Sequence, residues 1–230
     1  MLRNKISLAG LAETHTYNNN CFADKIWDWH GGAETRPALG HLKSKGGIGI
    51  MVDRGLVFSI VKSGTFSMWS QIEIKGGSPI FVAECYFPNN FDSKSHKQAW
   101  EEIESCCLEF RNLGHLLIMG DLNTHIGLDK SRIAVSGRLM LSRVLDLNLN
   151  FINGTPTCKG NTTRSEERTD GSIITSTIDS VLVSDSLLPH VESMTIDDDR
   201  MRSDHHPIVI EIRNLVPSGK TDVYTSGLEN

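Results

Sequence analysis

At 230 residues, the chain has the length of one large domain that can bury a substantial hydrophobic core. No apolar run approaches the roughly 18 residues that a membrane-spanning helix needs, so no membrane partner is expected. The net charge of -5 argues against a surface that coats nucleic acid broadly. It is compatible with an enzyme that has acids at a metal site and a local basic rim.

The five cysteines indicate the compartment. Their number is odd, no C-x-x-C spacing occurs, and Cys106 and Cys107 are adjacent in a helical pattern. This usage favours a reduced, intracellular location and argues against a zinc site.

The elements are predicted in chain order from hydrophobic periodicity and turn residues. Strands are predicted at 6–12, 47–52, 56–61, 66–74, 80–86, 115–119, 149–153, 178–184, 191–196 and 207–212. Helices are predicted over 96–112, with a cap at Ser93 or Ser95, and over 137–147. Residues 22–45 are expected to be irregular, and 154–177 to form a long loop or exposed hairpin. This mixture indicates an α/β or α+β domain over 1–214, followed by a polar tail over 215–230.

A polar segment follows the apolar run His115–Met119, which has the pattern of a strand buried on both faces. Gly120 is expected to allow a sharp turn, so that Asp121 and Asn123 emerge together from the end of the strand. Such a pair can hold a metal, a phosphate oxygen or an attacking water. Taken alone, an ordinary Asp/Asn turn explains it better.

A second acid lies inside a strand-forming run, Ile178-Asp179-Ser180-Val181. Burying a carboxylate costs several kcal/mol unless it is paired, so Asp179 either faces solvent or has a partner such as an imidazole. The candidate partner is in Asp204-His205-His206, directly before the last apolar strand. One histidine of that doublet is expected to be structural.

Two further strand ends carry polar groups. Glu13 follows the first strand and is either a functional acid or merely its first exposed position. Tyr86-Phe87-Pro88-Asn89 ends another strand, where a phenol and an amide can bond a phosphate or form an ordinary turn.

This ordered set resembles the endonuclease/exonuclease/phosphatase superfamily, which includes DNase I, AP endonucleases and retrotransposon endonucleases. The resemblance covers nearly the whole chain and is strongest at Gly120-Asp121-Leu122-Asn123 and Ser203-Asp204-His205, with Ile178-Asp179 between them. Leu11–His15 is similar to the family's metal-binding Glu segment, and Tyr86–Asn89 to the Tyr-x-Pro-Asn of the AP-endonuclease branch. The segment 137–155 resembles the endonuclease domains of non-LTR retrotransposons.

The resemblance implies a four-layer α/β sandwich of two mixed sheets flanked by helices. It also implies Mg²⁺, with Mn²⁺ as an alternative, bound chiefly by Glu13, and Asp204 supporting the metal or the histidine. No small-molecule cofactor is implied. The partner is DNA, and the location is then the nucleus.

The catalytic roles implied are as follows. His205, oriented by Asp179, would act on the scissile phosphate or its attacking water, and Asp121 would position or deprotonate that water. Phosphate oxygens would be bonded by Asn123, Tyr86 and Asn89. The 154–177 loop, with Arg164 and Arg168, would contact a DNA groove.

One departure accompanies these matches. Family members have an Asn-bearing strand before the Glu segment, and Glu13 lies too close to Met1 for it, so the sequence is expected to lack that strand. Three functions follow as expectations: a Mg²⁺-dependent endonuclease that nicks DNA, an AP endonuclease or other phosphodiesterase or phosphatase, and a catalytically inactive DNA-binding remnant.

Overall fold

The computed structural model describes residues 6–15, 21–23, 25–31, 46–89, 92–128, 132–200 and 203–219. The strands are β1 (Leu8–Ala12), β2 (Cys21–Ala23), β3 (Trp27–Gly31), β4 (Ile48–Asp53), β5 (Phe58–Ser63), β6 (Ser67–Ile72), β7 (Ile80–Tyr86), β8 (His115–Asp121), β9 (Leu149–Phe151), β10 (Cys158–Lys159), β11 (Arg164–Glu167), β12 (Ile173–Ser176), β13 (Asp179–Ser184), β14 (Val191–Ile196) and β15 (Ile208–Ile212). The helices are α1 (Ser93–Phe110), α2 (Val135–Asp146) and a 3₁₀ turn, Leu188–His190. None of the helices described is both long and apolar enough to cross a membrane.

A six-stranded sheet in the order β5-β6-β7-β8-β13-β9 is the centre of the fold. Its middle pair, β7 and β8, is parallel and is connected through α1, whereas its other pairs are antiparallel. All seven residues of β7 are buried, because both faces of this strand are covered.

The two α-helices cover one face of this sheet. Trp100, Ile103 and Phe110 of α1 pack with the side chains that β7 and β8 direct to this face. These residues recur at helical spacing, so they lie on one face of the helix. The predicted cap was wrong by one position, since the carboxylate of Asp92 accepts the N–H of Ser95 at 2.7 Å.

Two smaller sheets cover the opposite face. A four-stranded antiparallel sheet, β1-β4-β3-β2, packs through Ile48 and Ile50 against Met68 and Tyr86. A three-stranded sheet, β10-β14-β15, packs beside it on residues such as Val82. The expected α/β sandwich is confirmed, with this difference: among the described residues the second layer is two separate sheets.

The prediction of irregular structure over 22–45 was wrong where the structure describes that stretch. Cys21–Ala23 and Trp27–Gly31 are paired strands, and Trp29 is 7% exposed against β4. Aspartate and histidine alternate with the two tryptophans there, so the strand lacked the β-branched residues that usually identify one. Residue 24 and residues 32–45 lie outside the described residues.

The structure decides between the two predictions for 154–177 and corrects the predicted start of the C-terminal tail. The 154–177 segment contains an antiparallel hairpin, β11–β12, together with the short strand β10. The predicted tail begins too early, because residues 216–219 bond to the edge of the fold: Lys75 N–H donates to Val216, and Val57 N–H donates to Ser218, each at 2.8 Å. Satisfying these backbone groups keeps the segment in the domain. Residues 220–230 lie outside the described part of the chain.

Candidate active site

Strand register brings three polar side chains to one end of the central sheet. Tyr86 of β7 is paired with Asp121 of β8, and Asp121 is paired in turn with Asp179 of β13. Paired residues on neighbouring strands direct their side chains to the same face. These three side chains therefore lie side by side on the face that the smaller sheets cover.

The backbone around Asp121 differs from the expected sharp turn at Gly120. The strand continues through Asp121, and Gly120 is required because the chains approach closely: a Cβ there would lie 2.0 Å from the Cys85 carbonyl oxygen, at φ +136°. The turn comes at Asn123, whose φ is 43°. Its backbone N–H donates to Asp121 Oδ1 at 2.9 Å and its side-chain amide donates to Oδ2 at 2.8 Å, which fixes the carboxylate. A non-glycine residue at positive φ is strained, and here the strain serves to orient Asp121.

Asp179 has the imidazole partner that its place in a strand suggested. His205 Nδ1–H donates to the two carboxylate oxygens of Asp179 at 3.0 and 3.1 Å. This contact fixes the ring, and Nε2 then lies 4.0 Å from Asp121 Oδ2. The two carboxylates and one imidazole form a single cluster.

The cluster shifts the pKa values of its members. Burial, followed by the charge of Asp179, raises the pKa of Asp121 to about 7. Burial alone would lower the pKa of His205, but the hydrogen bond and charge of Asp179, with the charges of Asp121 and Asp204, raise it to about 9. In the absence of a cation, the imidazole therefore carries a proton at neutral pH.

Glu13 reaches this end of the sheet from β1. The Tyr86 hydroxyl donates to Glu13 Oε1 at 2.5 Å, and burial, then this bond, raises the pKa of Tyr86 well above its usual value. Glu13 has a φ of 52°, so the chain is strained where it presents this exposed carboxylate.

Three groups at this end of the sheet form a possible site for a divalent cation. Ligand atoms of Asp121, Asp179 and His205 lie within 4.8 Å of one another. A protonated imidazole binds no cation, however, and Nδ1 of His205 is already committed to Asp179. Glu13, an exposed carboxylate beside the cluster, is the acid better placed for a hard cation that keeps several waters.

The remaining predicted site residues lie in several places. Asp204 is bonded to Arg164, with Nε to Oδ2 at 2.8 Å, and stands outside the group of possible cation ligands. Arg168 is exposed in the hairpin turn, and Asn89 is exposed in the turn after β7. His206 is the structural histidine of the doublet: its Nδ1–H donates to the Asp197 carbonyl at 3.0 Å.

Three residues beside the cluster were not predicted. Asn153 bridges two backbone groups of β13, accepting from Val181 N–H at 2.8 Å and donating to the Asp179 carbonyl at 3.1 Å. Glu84 lies on β7, two residues before Tyr86, and is 4% exposed. Thr163 is fully buried and accepts from the N–H groups of Ile178 and Asp179. An acid inside an apolar strand was the signal available for Glu84; no comparable signal identified Thr163.

Comparison with known proteins gives one family and several structural neighbours. Residues 80–209 match the family model described as endonuclease-reverse transcriptase. The endonuclease domain of TRAS1, a telomere-specific non-LTR retrotransposon, aligns at 17% identity over 91% of this chain and 87% of its own, with a TM-score of 0.70. The AP endonuclease LMAP from Leishmania major aligns at 14% identity over 91% and 79%, with a TM-score of 0.69. A 3′-5′ exonuclease, NExo, from Neisseria meningitidis aligns at 17% identity over 92% and 91%, with a TM-score of 0.65.

No curated protein matches the sequence. The fold and the family match together define the class: a DNase I-like α/β sandwich of the superfamily of nucleases and phosphatases. The chain belongs to the endonuclease-reverse transcriptase family.

Proposed function

We propose that the protein is a Mg²⁺-dependent endonuclease that nicks one DNA strand by hydrolysis of a phosphodiester bond. The observation that carries this proposal is the cluster in which Asp179 holds His205 and Nε2 of the ring lies 4.0 Å from Asp121. It supplies a proton acceptor and a proton donor at one place, as hydrolysis of a phosphate ester requires.

The roles follow from the charges. Asp121, with a pKa of about 7, is poised to take a proton from the attacking water at neutral pH. His205 carries a positive charge and, through Nε2, would bond an oxygen of the phosphate and stabilise the charge that develops there. Asp179 keeps the ring in position and Asn123 keeps Asp121 in position.

Glu13 would hold the cation, and Tyr86 would orient Glu13. A bound Mg²⁺ would neutralise the charge of the phosphate and polarise its P–O bonds.

The retrotransposon type of endonuclease is supported by two observations. The family is described as endonuclease-reverse transcriptase, and one structural neighbour is the endonuclease domain of TRAS1, a telomere-specific non-LTR retrotransposon. DNA as substrate is supported by a second NExo structure, which is described as bound to a product DNA hairpin. We propose a nuclear location as part of the same hypothesis.

Nicking of supercoiled plasmid tests the function. The purified chain should convert the plasmid to the open circle in Mg²⁺ and not in EDTA. Asp121→Asn and His205→Ala should each lower the rate by roughly 10²–10⁴-fold, because the first removes the proposed proton acceptor and the second the charged donor to the phosphate. Asp146→Asn, an exposed acid at the end of α2, is the matched control and should nick at the parent rate. A parent chain that never nicks, or site variants that nick as well as it does, would refute the assignment.

A second candidate, an AP endonuclease, is favoured by the similarity of Tyr86–Asn89 to the Tyr-x-Pro-Asn of that branch and by the similarity to LMAP. Cleavage of a duplex with one abasic site, compared with the same intact duplex, separates the two. The endonuclease proposal predicts cleavage of both, and strict dependence on the abasic site supports the alternative. Salt-sensitive DNA binding without turnover would instead identify a non-catalytic remnant.

A further inference from the structure

The start of the β11–β12 hairpin lies against the loop that carries His205. Arg164 and His205 are paired as an isolated antiparallel bridge. On either side of the bridge, Ser165 N–H donates to the Asp204 carbonyl and His206 N–H donates to the Thr163 carbonyl, each at 2.8 Å. The hairpin and the histidine loop therefore behave as two strands of a small ladder.

Side chains reinforce that ladder. Because His206 Nδ1 donates to a carbonyl, its Nε2 in the neutral ring is an acceptor, and the Ser165 hydroxyl bonds it at 2.9 Å. Arg164 bonds Asp204 through Nε at 2.8 Å and contacts Glu166 at 3.0 Å. The guanidinium is thus engaged by two carboxylates.

The same segment also holds Asp179, the carboxylate that bonds His205. The buried Thr163 Oγ1 accepts two backbone N–H groups, from Ile178 at 3.0 Å and from Asp179 at 3.1 Å. Thr163 N–H donates to the Ser176 carbonyl at 2.9 Å, which connects the segment to the other arm of the hairpin. Two consecutive residues, Thr163 and Arg164, therefore connect Asp179 to the loop of His205.

We propose that Thr163 and Arg164 are positioning residues that set the placement of His205 relative to Asp179, and that Arg164 acts through Asp204 and does not bind DNA phosphate. The proposal rests on the hydrolytic function proposed above. It corrects the sequence-based role of Arg164, since the carboxylates of Asp204 and Glu166 offset the positive charge of the guanidinium and occupy its Nε and Nη2 donors.

The first experiment measures nicking with the full chain. Arg164→Gln and Thr163→Val should lower kcat roughly 10- to 100-fold with KM for DNA nearly unchanged, because a small displacement of the imidazole misaligns the reacting groups. Arg164→Lys, which keeps a donor for Asp204, should recover part of kcat. The matched controls are Thr175→Val, an exposed threonine of the same hairpin, and Arg213→Gln, an ion-paired arginine that bonds Glu192. Both should keep the parent kcat.

The second experiment needs no activity. In ¹⁵N-labelled, cation-free protein, the Nδ1–H proton of His205 donated to Asp179 should give a slowly exchanging resonance, assigned by its loss in His205→Ala. Arg164→Gln and Thr163→Val should broaden or abolish it, and the two controls should retain it. If Thr163→Val does not fold, Arg164→Gln and Arg164→Lys decide the question.

The outcomes are distinct. A rise in KM with unchanged kcat and an intact resonance in Arg164→Gln would mean that Arg164 binds phosphate, and would overturn the proposal. Unchanged kcat, KM and resonance would overturn it as well. If the parent chain does not nick, the proposed function fails, and the resonance still decides whether the two residues position His205.

Discussion

Glu84 is a buried acid between the central sheet, where it lies on β7, and the smaller sheet that contains β1. It lies mid-strand in β7, and a Cβ on Gly10 would overlap its carboxyl group, so the glycine of β1 leaves the room that Glu84 occupies. Burial, then the charges of Asp179 and Asp121, raises the pKa of Glu84 well above its usual value. Glu84 therefore keeps its proton to a higher pH than an exposed carboxyl group does, beneath the acids of the site.

This burial predicts a pH dependence of stability. The folded chain holds the proton on Glu84 to a higher pH than the unfolded chain, which releases it above a pH of about 4.3. Between these two limits unfolding releases a proton, so rising pH favours unfolding. Glu84→Gln carries no such proton. The stability of the parent chain relative to this variant should fall as pH rises from 5 to 8, by at most about 1.4 kcal/mol per pH unit.

Urea unfolding of both proteins at pH 5, 6, 7 and 8 measures this difference. A constant difference across the range would show that the carboxyl group is ionised in the folded protein.

At the scale of single residues, sequence reasoning succeeded where a polar group broke an apolar pattern. Asp179 was identified because a buried carboxylate requires a partner, and the structure gives it His205. Glu84 satisfies the same criterion but was not predicted. Arg164 shows the limit: a sequence gives a charge, but the carboxylate that neutralises it comes from forty positions away.

The parallel pair β7–β8 is the element on which the site depends. Gly120 lets the two strands approach, since any side chain there would meet the Cys85 backbone. The next residue is Asp121, so the spacing of the strands determines the position of this carboxylate.

A methyl group at Gly120 should therefore be costly. Gly120→Ala adds overpacking against backbone to the strain of positive φ, and should destabilise the chain by roughly 3 kcal/mol or more. Gly171→Ala is the control, because Gly171 has φ +80° with no atom within 4 Å of the added carbon. It should cost about 1 kcal/mol. Thermal or urea unfolding compares the two, and equal losses would mean that close contact at Gly120 is relieved without cost.

Elements with a regular hydrophobic pattern were predictable, and those defined by long-range pairing were not. The buried central strands follow from short apolar runs, and both helices follow from a period of 3.6 residues. The strand β3 was not predicted, because its pairing with β4 depends on a segment twenty positions away and it contains Asp28 and Gly31, which are unfavourable in strands. The hairpin β11–β12 was given only as an alternative, and its contact with the His205 loop has no local signature.

At the scale of the molecule, the segment 216–219 closes one side of the fold. Its backbone bonds join Val57, Glu73 and Lys75, which flank β5 and β6. The segment satisfies backbone groups at the ends of two neighbouring strands, so it belongs to the cooperative unit.

Removal of this segment should therefore lower stability. A chain ending at Leu215 loses three backbone hydrogen bonds to those residues, each worth about 0.5–1.5 kcal/mol, and should be roughly 2–4 kcal/mol less stable than a chain ending at Gly219. Urea unfolding of the two truncated chains gives the difference. Equal midpoints and slopes would place the domain boundary before Val216, as the sequence suggested.

The site takes Glu13 from just after the first described strand and His205 from just before the last. During synthesis, therefore, the ribosome must release almost the entire domain before these two groups can meet. A nascent chain of 190 residues contains the whole β7–α1–β8 unit and has no imidazole for Asp179. A chain that stops short of His205 would therefore keep the carboxylates of the site and lack the ring that the proposed hydrolysis uses.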